Sequence, residues 1–562
     1  MNLVSTSQPR RTPAKKLLRI IVALLVVYGA LTVLFLKNGY DQALAGKSQL
    51  EQAFTYLQSQ DLVHAREDIQ AANLDFKSAH SNIIRSYLWR PLPWVGTQLK
   101  AVNLLLGAGV NLTQALDDAT LLSQGIMKEF SDRQNLSYSA ISTDDKRKVL
   151  AKIASSQAEL DQIRNDIDQA IVELDQLPRS GIMSALADKI QPIQDNLPKL
   201  KVLADKILPL VITLPHLVGY PDPVTYLVLL ENNDELRPTG GFIGTYGVLK
   251  MSNGDITYFQ TDNIYNLDDP AKTLNVPAPM PLVKYLHVPN WKLRDSNWSP
   301  DFPTSAEKAI WFYHQEGGPE TKFDGVLAAT PSLMSSILET IGAQKVQGLT
   351  FTSTNVQEAL ENQVGKDYYT QGIPEAQRKG IVGLLGLQVK EEILKMPLKK
   401  FGEVVGDMLT ALDEKQLIIY SLSPNVQQIL EQNNWTANVK ETSGDYFLAI
   451  DTNLASLKTD RVIERKIDYS LEPDGNTFRV KAVLNYSNEG HINWKTTRLR
   501  SWTRVYVPKG SELISATGLM ENDRSTKPGQ VEIGEELGKT YFGGFISVEP
   551  GQSSTLTFEY RL

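Results

Sequence analysis

The chain has 562 residues, more than a single hydrophobic core organises, so its length predicts several domains. Hydrophobic residues make up 42% and charged residues 22% of the chain, a composition typical of folded proteins. The formal net charge of -7 argues against nucleic acid as a partner, because phosphate binding needs a concentrated basic surface. The chain has no cysteine, which excludes disulfides, thiolate zinc sites and cysteine nucleophiles.

The first element predicted along the chain is a membrane anchor over residues 17–37. Residues 20–36 carry no charge and, with the two leucines before them, approach the roughly 20 residues that span a bilayer. Basic side chains are denser before this run than after it. The positive-inside rule therefore predicts a cytoplasmic tail over residues 1–16, with the rest of the chain outside the cytoplasm. Two alternatives stay open: a signal peptide cleaved after Ala45, and a buried helix of a globular domain.

Residues 38–215 are predicted to form a helical stalk. Two sets of apolar residues recur every seven positions, which is the spacing of a coiled-coil seam or of a helical hairpin. The polar residues 137–145 are the predicted turn between the two helices. The stalk is interpreted as a spacer; the alternatives are a dimerising coiled coil, which would make the protein a homodimer, and a partner-binding face. The two sets are Leu105, Leu112, Ala119 and Ile126, and then Ile153, Leu160, Ile167 and Leu174.

Two further domains complete a multidomain α+β fold class. Residues 216–450 are predicted to form a layered α/β core domain, which starts with a short apolar run at 224–230 that is typical of a buried strand. Ser252-Asn253-Gly254 then predicts the turn of a β-hairpin. Later segments predict helices, among them a single helix over residues 375–401. From residue 451 to residue 562, short alternating segments predict an immunoglobulin-like β-sandwich.

The segment that is richest in chemistry is ENNDELRPTGGF, which begins where the first predicted strand ends. Loops at this end of a strand usually hold the binding groups of an open α/β sheet. Its two glycines allow a ligand to approach the backbone, and Arg237 offers a fork of donors for a carboxylate or phosphate. The alternative is a tight connection between strands that is held by an arginine–glutamate pair. The predicted ligand-binding residues are Glu231, Asn233, Glu235, Gly240 and Gly241.

Three segments of the chain resemble a bacterial family that is known as domain of unknown function 4012. They are ENNDELRPTGGFIGTYG, FDGVLAATPSLMSSILETIG and LAIDTNLASLKTDRVIERKIDYSL, and the likeness covers most of residues 220–510. The resemblance implies a membrane-anchored envelope protein. It carries no assigned activity.

The order of strands, loops and helices is also similar to that of the LytR–CpsA–Psr family. Those membrane-anchored enzymes move glycopolymers from polyprenyl pyrophosphate carriers onto the cell wall. The likeness implies that Arg237, Asp262, Arg294 and Asp295 are catalytic, and that Asp262 and Asp295 hold Mg²⁺. The chain departs from that family's pattern because no arginine comes directly before Asp262.

Two functional hypotheses follow from the sequence. The first is an envelope phosphotransferase that uses Mg²⁺ and a polyprenyl pyrophosphate carrier. The second is a non-catalytic surface module that binds a wall polymer or a protein partner. Apart from Mg²⁺ in the first hypothesis, the sequence predicts no particular cofactor.

The predicted topology is tested by proteolysis of intact cells from which the outer wall barriers have been removed. External protease should digest most of the chain and leave a small N-terminal fragment in the membrane, because the bilayer shields the anchor. The same digestion of opened membranes should also cut residues ahead of the anchor. A full-length chain that resists external protease contradicts this topology.

Overall fold

The computed structural model describes residues 13–59, 61–127, 137–177 and 201–562, together with Asp195 and Lys199. Most of the predicted cytoplasmic tail lies outside these residues. The chain divides into two compact units, and the predicted five-part division stays a prediction. The first unit contains Met1–Asp132 and Lys148–Leu214, and the second contains Arg133–Arg147 and Pro215–Leu562.

Helices follow one another through the first part of the chain, in agreement with the predicted helical region. Short 3-10 turns lie at Tyr87–Trp89 and Tyr138–Ala140, and a π-helical turn lies at Leu203–Ile207. The helices are α1 (Pro13–Gln58), α2 (Leu62–Ile84), α3 (Pro93–Met127), α4 (Thr143–Ser155), α5 (Gln157–Asp175) and α6 (Leu208–Leu217).

Helix α1 contains the predicted anchor. Among the described helices it is the one that is long and apolar enough to cross a membrane. Most of the large apolar side chains between Ile21 and Leu36 are exposed, so they have few protein neighbours. An apolar helical surface of this kind is stable in the hydrocarbon core of a bilayer. Its orientation stays a prediction.

The seven-residue spacing corresponds to a contact between α3 and α5. Leu160 and Ile167 of α5 are buried and share a hydrophobic cluster with Ala119 and Ile126 of α3. A coiled coil as such, and a homodimer through it, stay predictions.

Ser156 lies between α4 and α5. Its backbone N–H donates to the carbonyl of Ile153 at 3.0 Å, three residues back rather than four. This tighter turn separates α4 from α5. The Ser156 side chain is itself buried.

The second unit begins with a five-stranded sheet in the order β3-β2-β1-β4-β7. Strand β1 pairs in parallel with β4, and the other pairs are antiparallel. Leu227 and Val326 point into the core against Phe302 and Phe312, and all four side chains are fully buried. The strands are β1 (Val224–Asn232), β2 (Phe242–Ser252), β3 (Asp255–Asn263), β4 (Gly325–Ala329) and β7 (Leu417–Ser421); a separate two-stranded ribbon contains β5 (Gln344–Val346) and β6 (Leu349–Phe351).

The predicted hairpin is present between β2 and β3. Asn253 and Gly254 have φ angles of 51° and 84°, the left-handed values that a two-residue hairpin turn needs at both positions. The strand Gly325–Ala329 leads directly into the helix Pro331–Ile341.

The predicted single helix over residues 375–401 is confirmed only over Gly380–Lys395, because Pro397 interrupts the helical pattern near its C-terminal end. Proline has no N–H for the helical hydrogen bond, so the chain ends one helix and starts another. The α-helices of the second unit beyond residue 217 are Ile264–Asp268, Met280–Leu286, Phe302–Gln315, Pro331–Ile341, Val356–Asn362, Tyr368–Thr370, Gly380–Lys395, Phe401–Asp413 and Pro424–Gln432.

The C-terminal part contains two four-stranded antiparallel sheets, in the orders β12-β15-β10-β9 and β13-β14-β11-β8. Val480 and Phe558 of the first sheet share one core with Val505 and Phe542 of the second. The immunoglobulin-like type of this arrangement stays a prediction. The strands are β8 (Leu448–Asn453), β9 (Ile463–Asp474), β10 (Thr477–Asn488), β11 (Leu499–Pro508), β12 (Glu512–Thr517), β13 (Glu532–Glu536), β14 (Lys539–Val548) and β15 (Ser553–Arg561).

Ile167→Asp should destabilise the helical unit, because it places an unpaired charge in the cluster that α3 and α5 share. Circular dichroism of the full chain in detergent should show a lower melting temperature or a loss of helix. Asn165→Asp, which adds the same charge on the exposed side of α5, is the control and should melt like the parent chain. Equal melting of the two variants would mean that Ile167 is not buried in solution.

Candidate functional site

The loop between β1 and β2, residues 233–241, is closed by a buried carboxylate. Glu231 accepts hydrogen bonds from Thr239 Oγ1 at 2.8 Å, from the Gly241 N–H at 3.1 Å and from Asn297 Nδ2 at 3.3 Å. Burial raises the pKa of Glu231 to about 7, while the three donors oppose that rise. Glu231 therefore holds the two ends of the loop together.

The two glycines of the loop, Gly240 and Gly241, are required by the conformation of the protein's own backbone. A Cβ atom on Gly241 would lie 2.2 Å from the Asn232 carbonyl oxygen, so the two backbone segments pass in direct contact. Gly240 has a φ of +145°, where a side chain is strained. The close approach that the glycines permit is thus between Gly241 and Asn232.

Arg237 is 8% exposed and has protein partners on both sides of its guanidinium group. Nη1 donates to the Asn453 carbonyl at 2.7 Å, and Nη2 donates to Asp295 Oδ1 at 3.4 Å. The guanidinium also lies over the Phe242 ring, 5.2 Å from its centroid. The partners of Arg237 therefore come from two distant parts of the chain rather than from an acid within the loop.

Asp295 brings Arg237 and Arg294 together. Its Oδ2 lies 3.8 Å from Arg294 Nε, and Arg294 Nη1 lies 3.2 Å from Asp268 Oδ2. Asp268 is buried beside Glu316, and burial together with that second carboxyl raises the pKa of Asp268 to about 9. Three of the four predicted catalytic residues thus form one row of alternating charges.

Asp262, the fourth predicted catalytic residue, bonds within its own strand end. Its Oδ1 accepts from the Asn263 N–H and from Asn266 Nδ2, each at 2.7 Å. The other predicted metal ligand, Asp295, faces two guanidinium groups. Within the described part of the chain, no group of three or more histidine, aspartate or glutamate side chains is placed to hold a metal ion. The described side chains around Asp262 and Asp295 do not fit a magnesium centre.

The polar residues at the start of the loop contact later parts of the second unit. Lys458 Nζ donates to Glu235 Oε1 at 2.8 Å, and Arg461 Nη1 lies 3.6 Å from Asp234 Oδ2. Asn233 Nδ2 donates to Ser332 Oγ at 3.2 Å. Both acids of the loop are thereby paired with bases that follow β8.

The Asp460 carboxylate accepts a hydrogen bond from the backbone of the loop. Its Oδ2 accepts from the Leu236 N–H at 3.1 Å and from Asn453 Nδ2 at 2.6 Å. Among the described residues, no hydrogen bond ends on Oδ1. Burial raises the pKa of Asp460 to about 6, so its carboxyl gives up its proton just below neutral pH.

A cavity of about 310 Å³ lies beside Asp460. Tyr486 OH donates to Asp451 Oδ1 at 2.9 Å, and Arg465 forms an ion pair with the same carboxylate. Carboxylate acceptors, a guanidinium and apolar side chains therefore share one small space. The residues that line it are Leu236, Asp451, Asp460, Ile463, Arg465, Tyr486 and Leu499.

The residues that bind the 233–241 loop, Lys458, Asp460 and Arg461, were not predicted from the sequence. Their signal is the cluster LKTDR after β8, where charges follow one another without the alternation of a strand. Lys379 was not predicted either; its ammonium group donates to the Gly244 carbonyl and lies 5.4 Å from the centroid of the Tyr265 ring. Burial lowers the pKa of Lys379 to about 7.

Comparison with known families gives one match. Residues 222–364 match the family described as Protein of unknown function (DUF4012), which confirms the resemblance predicted from the sequence. Neither the curated proteins nor the solved structures contain a match to the chain. The likeness to the LytR–CpsA–Psr family stays a prediction.

Glu231→Gln should change how stability depends on pH. In the folded chain the carboxyl keeps its proton up to about pH 7, whereas an unfolded glutamate loses it near its ordinary value of 4.5. The stability that the protonated Glu231 contributes is therefore complete below pH 4.5 and is lost as the pH rises through about 7. The melting temperature of the parent chain relative to Glu231→Gln should fall between pH 5 and pH 8.

The matched control is Glu339→Gln at an exposed position, whose melting temperature should follow the parent chain across this range. Every other titrating group is common to the three chains and cancels in the comparison. A constant difference between the parent chain and Glu231→Gln would contradict the raised pKa.

Proposed function

We propose that this chain, in which residues 222–364 carry the family match, is a non-catalytic surface module that binds a hydroxyl-rich polymer of the cell envelope. Helix α1 anchors it in the membrane, with both units outside the cytoplasm. The binding site is the cavity beside Asp460. Its occupant is a sugar unit of a wall glycopolymer.

The observation that carries the proposal is the position of Leu236. This residue stands next to Arg237 in the loop, and its side chain forms part of the cavity wall. The contacts of Arg237 with Asn453 and Asp295 therefore also fix one side of the cavity. In this proposal the loop that the family match includes is the wall of a binding site.

The chemistry of the cavity favours a neutral ligand with many hydroxyl groups. Asp460 supplies a strong acceptor and Arg465 supplies donors, so a hydroxyl group can be bonded in either direction. Leu236 and Leu499 offer apolar contact for the C–H faces of a ring. Two carboxylates against one guanidinium repel a phosphate, which argues against a pyrophosphate in this space. The volume lies at the lower end of the range for ligand pockets.

The second candidate function is the envelope phosphotransferase. The observation that favours it is the row of Arg237, Asp295 and Arg294, which gathers cations and an acid beyond the end of β1. Against it stands the burial of Arg237 and its bond to the Asn453 carbonyl, since a phosphate would have to displace existing partners.

Binding of soluble wall-glycopolymer fragments to the full chain in detergent tests the first proposal. Asp460→Asn preserves the size of the side chain but removes a charged acceptor, so affinity should fall by about ten- to a hundredfold. Asp222→Asn removes an exposed carboxylate and should bind like the parent chain. Fragments that do not bind the parent chain, or that bind Asp460→Asn equally well, would contradict the proposal.

Arg237→Ala, measured on the same preparation, separates the two candidate functions. In the proposed module it lowers the melting temperature, because Asp295 and the Asn453 carbonyl lose their partner, and the parent chain binds no polyprenyl pyrophosphate. In the phosphotransferase the parent chain binds polyprenyl pyrophosphate, and Arg237→Ala loses that binding at an unchanged melting temperature. The second result would replace the proposed function.

A further inference from the structure

Strand β9 is the free edge of a sheet in the C-terminal part of the second unit. It pairs with β10 over its whole length, from Ile463 opposite Asn488 to Asp474 opposite Thr477. In the sheet order β12-β15-β10-β9 no further described strand follows it. Its other side therefore presents a row of backbone N–H and C=O groups, which is a template for pairing with another strand.

The side chains on one face of this strand are apolar and partly exposed, although the Tyr469 ring packs against Phe447 at 5.0 Å between centroids and its hydroxyl donates to Asp445 Oδ2. Ile467, Tyr469 and Leu471 are 39%, 37% and 42% exposed. Their neighbours across the ladder, Leu484, Ala482 and Val480, are fully buried in the core between the two sheets. The apolar face of the sheet is thus buried at β10 but partly exposed to water at β9. This exposure is unfavourable and favours a partner at this edge.

The opposite face of β9 carries alternating polar residues that are complementary to a second copy. When two β9 strands pair antiparallel with Tyr469 opposite Tyr469, Lys466 of each copy lies opposite Glu472 of the other. Asp468 then lies opposite Ser470, and Ile467 lies opposite Leu471. Opposite charges that face each other across two strands stabilise the strand pair. The Lys466–Glu472 pair occurs twice, because the contact is two-fold symmetric.

The two nearest registers that keep the same faces together place like charges opposite each other. A shift of two residues in one direction sets Asp468 opposite Asp468, and a shift in the other direction sets Asp468 opposite Glu472. A shift of one residue exchanges the apolar and polar faces. Pro473, which lacks an N–H, is compatible with an edge strand and limits the new ladder to the residues before it.

We propose that two copies of this chain associate through antiparallel pairing of β9 with β9, in the register that places Tyr469 opposite itself. The pairing joins the two sheets into one of eight strands and places Ile467 of each edge beside Leu471 of the other. It lies in the β-rich part of the chain, separate from the helices for which the sequence leaves a homodimer open as an alternative.

Cysteine cross-linking of the full chain in detergent tests the register, since the parent chain has no cysteine. Tyr469→Cys should form a disulfide-linked dimer on mild oxidation, because residues directly opposite in an antiparallel pair have Cα atoms about 4.5–5.5 Å apart. Ile467→Cys alone should not, whereas a mixture of Ile467→Cys and Leu471→Cys should. Cross-linking of Tyr469→Cys no stronger than that of the exposed control Thr526→Cys overturns the proposal.

Charge reversal tests the same contact without cysteine. Lys466→Glu sets two acids opposite each other at both symmetric positions, so the dissociation constant of the dimer should rise by about tenfold or more. Adding Glu472→Lys to it restores opposite charges and should restore the dimer in sedimentation velocity. Monomers of Lys466→Glu and of the parent chain should have equal melting temperatures, which shows that the variant is folded. A parent chain that stays monomeric, or a double variant that does not recover, overturns the proposal.

Discussion

The guanidinium of Arg237 is the buried charge on which the arrangement of the second unit depends. Removing such a group from water is unfavourable by several kcal/mol unless the fold supplies partners for it. The partners are Asp295, which precedes the helix against the five-stranded sheet, and the Asn453 carbonyl at the end of β8. Because they belong to different parts of the unit, satisfying one charge also fixes the α/β part against the β-rich part.

The contacts around Arg237 also hold the α/β part against the β-rich part. Glu235 and Asp234 of the loop pair with Lys458 and Arg461, and Asp460 accepts the loop backbone. The two parts also share an apolar contact, in which the Tyr285 ring stacks on Phe545 at 4.1 Å between centroids. Polar contacts fix the register of such an interface and apolar burial supplies most of the stability, since a buried ion pair by itself gains little.

Strand β9 contributes both to the cavity beside Asp460 and to the edge at which the second copy is proposed to pair. Its first residues, Ile463 and Arg465, line the cavity beside Asp460. Its middle residues form the free edge that is complementary to a second copy. A dimer formed at this edge would hold two cavities in one rigid sheet, so a long polymer could contact both, and binding at two linked sites is stronger than binding at one. The proposed assembly and the proposed polymer ligand are thus compatible in geometry, although each rests on different residues.

Much of the fold follows from the sequence because it depends on local patterns. The apolar length of α1, the seven-residue spacing of Leu160 and Ile167, and the turn at Asn253 and Gly254 each depend on neighbours within a few turns or strands. Short strands such as β13 were not predicted, since its sequence EIGEE has no clear alternation and takes its strand form from pairing with β14.

The sequence by itself determined which residues carry chemistry in the 233–241 loop, but not what those residues contact. Arginine, acids and paired glycines in such a loop suit a ligand and a structural connection equally well. Only the tertiary structure decided that Arg237 meets Asn453 and Asp295, because these partners are 216 and 58 residues away along the chain. Contacts at such separations follow from how sheets and helices pack, and no local pattern encodes them.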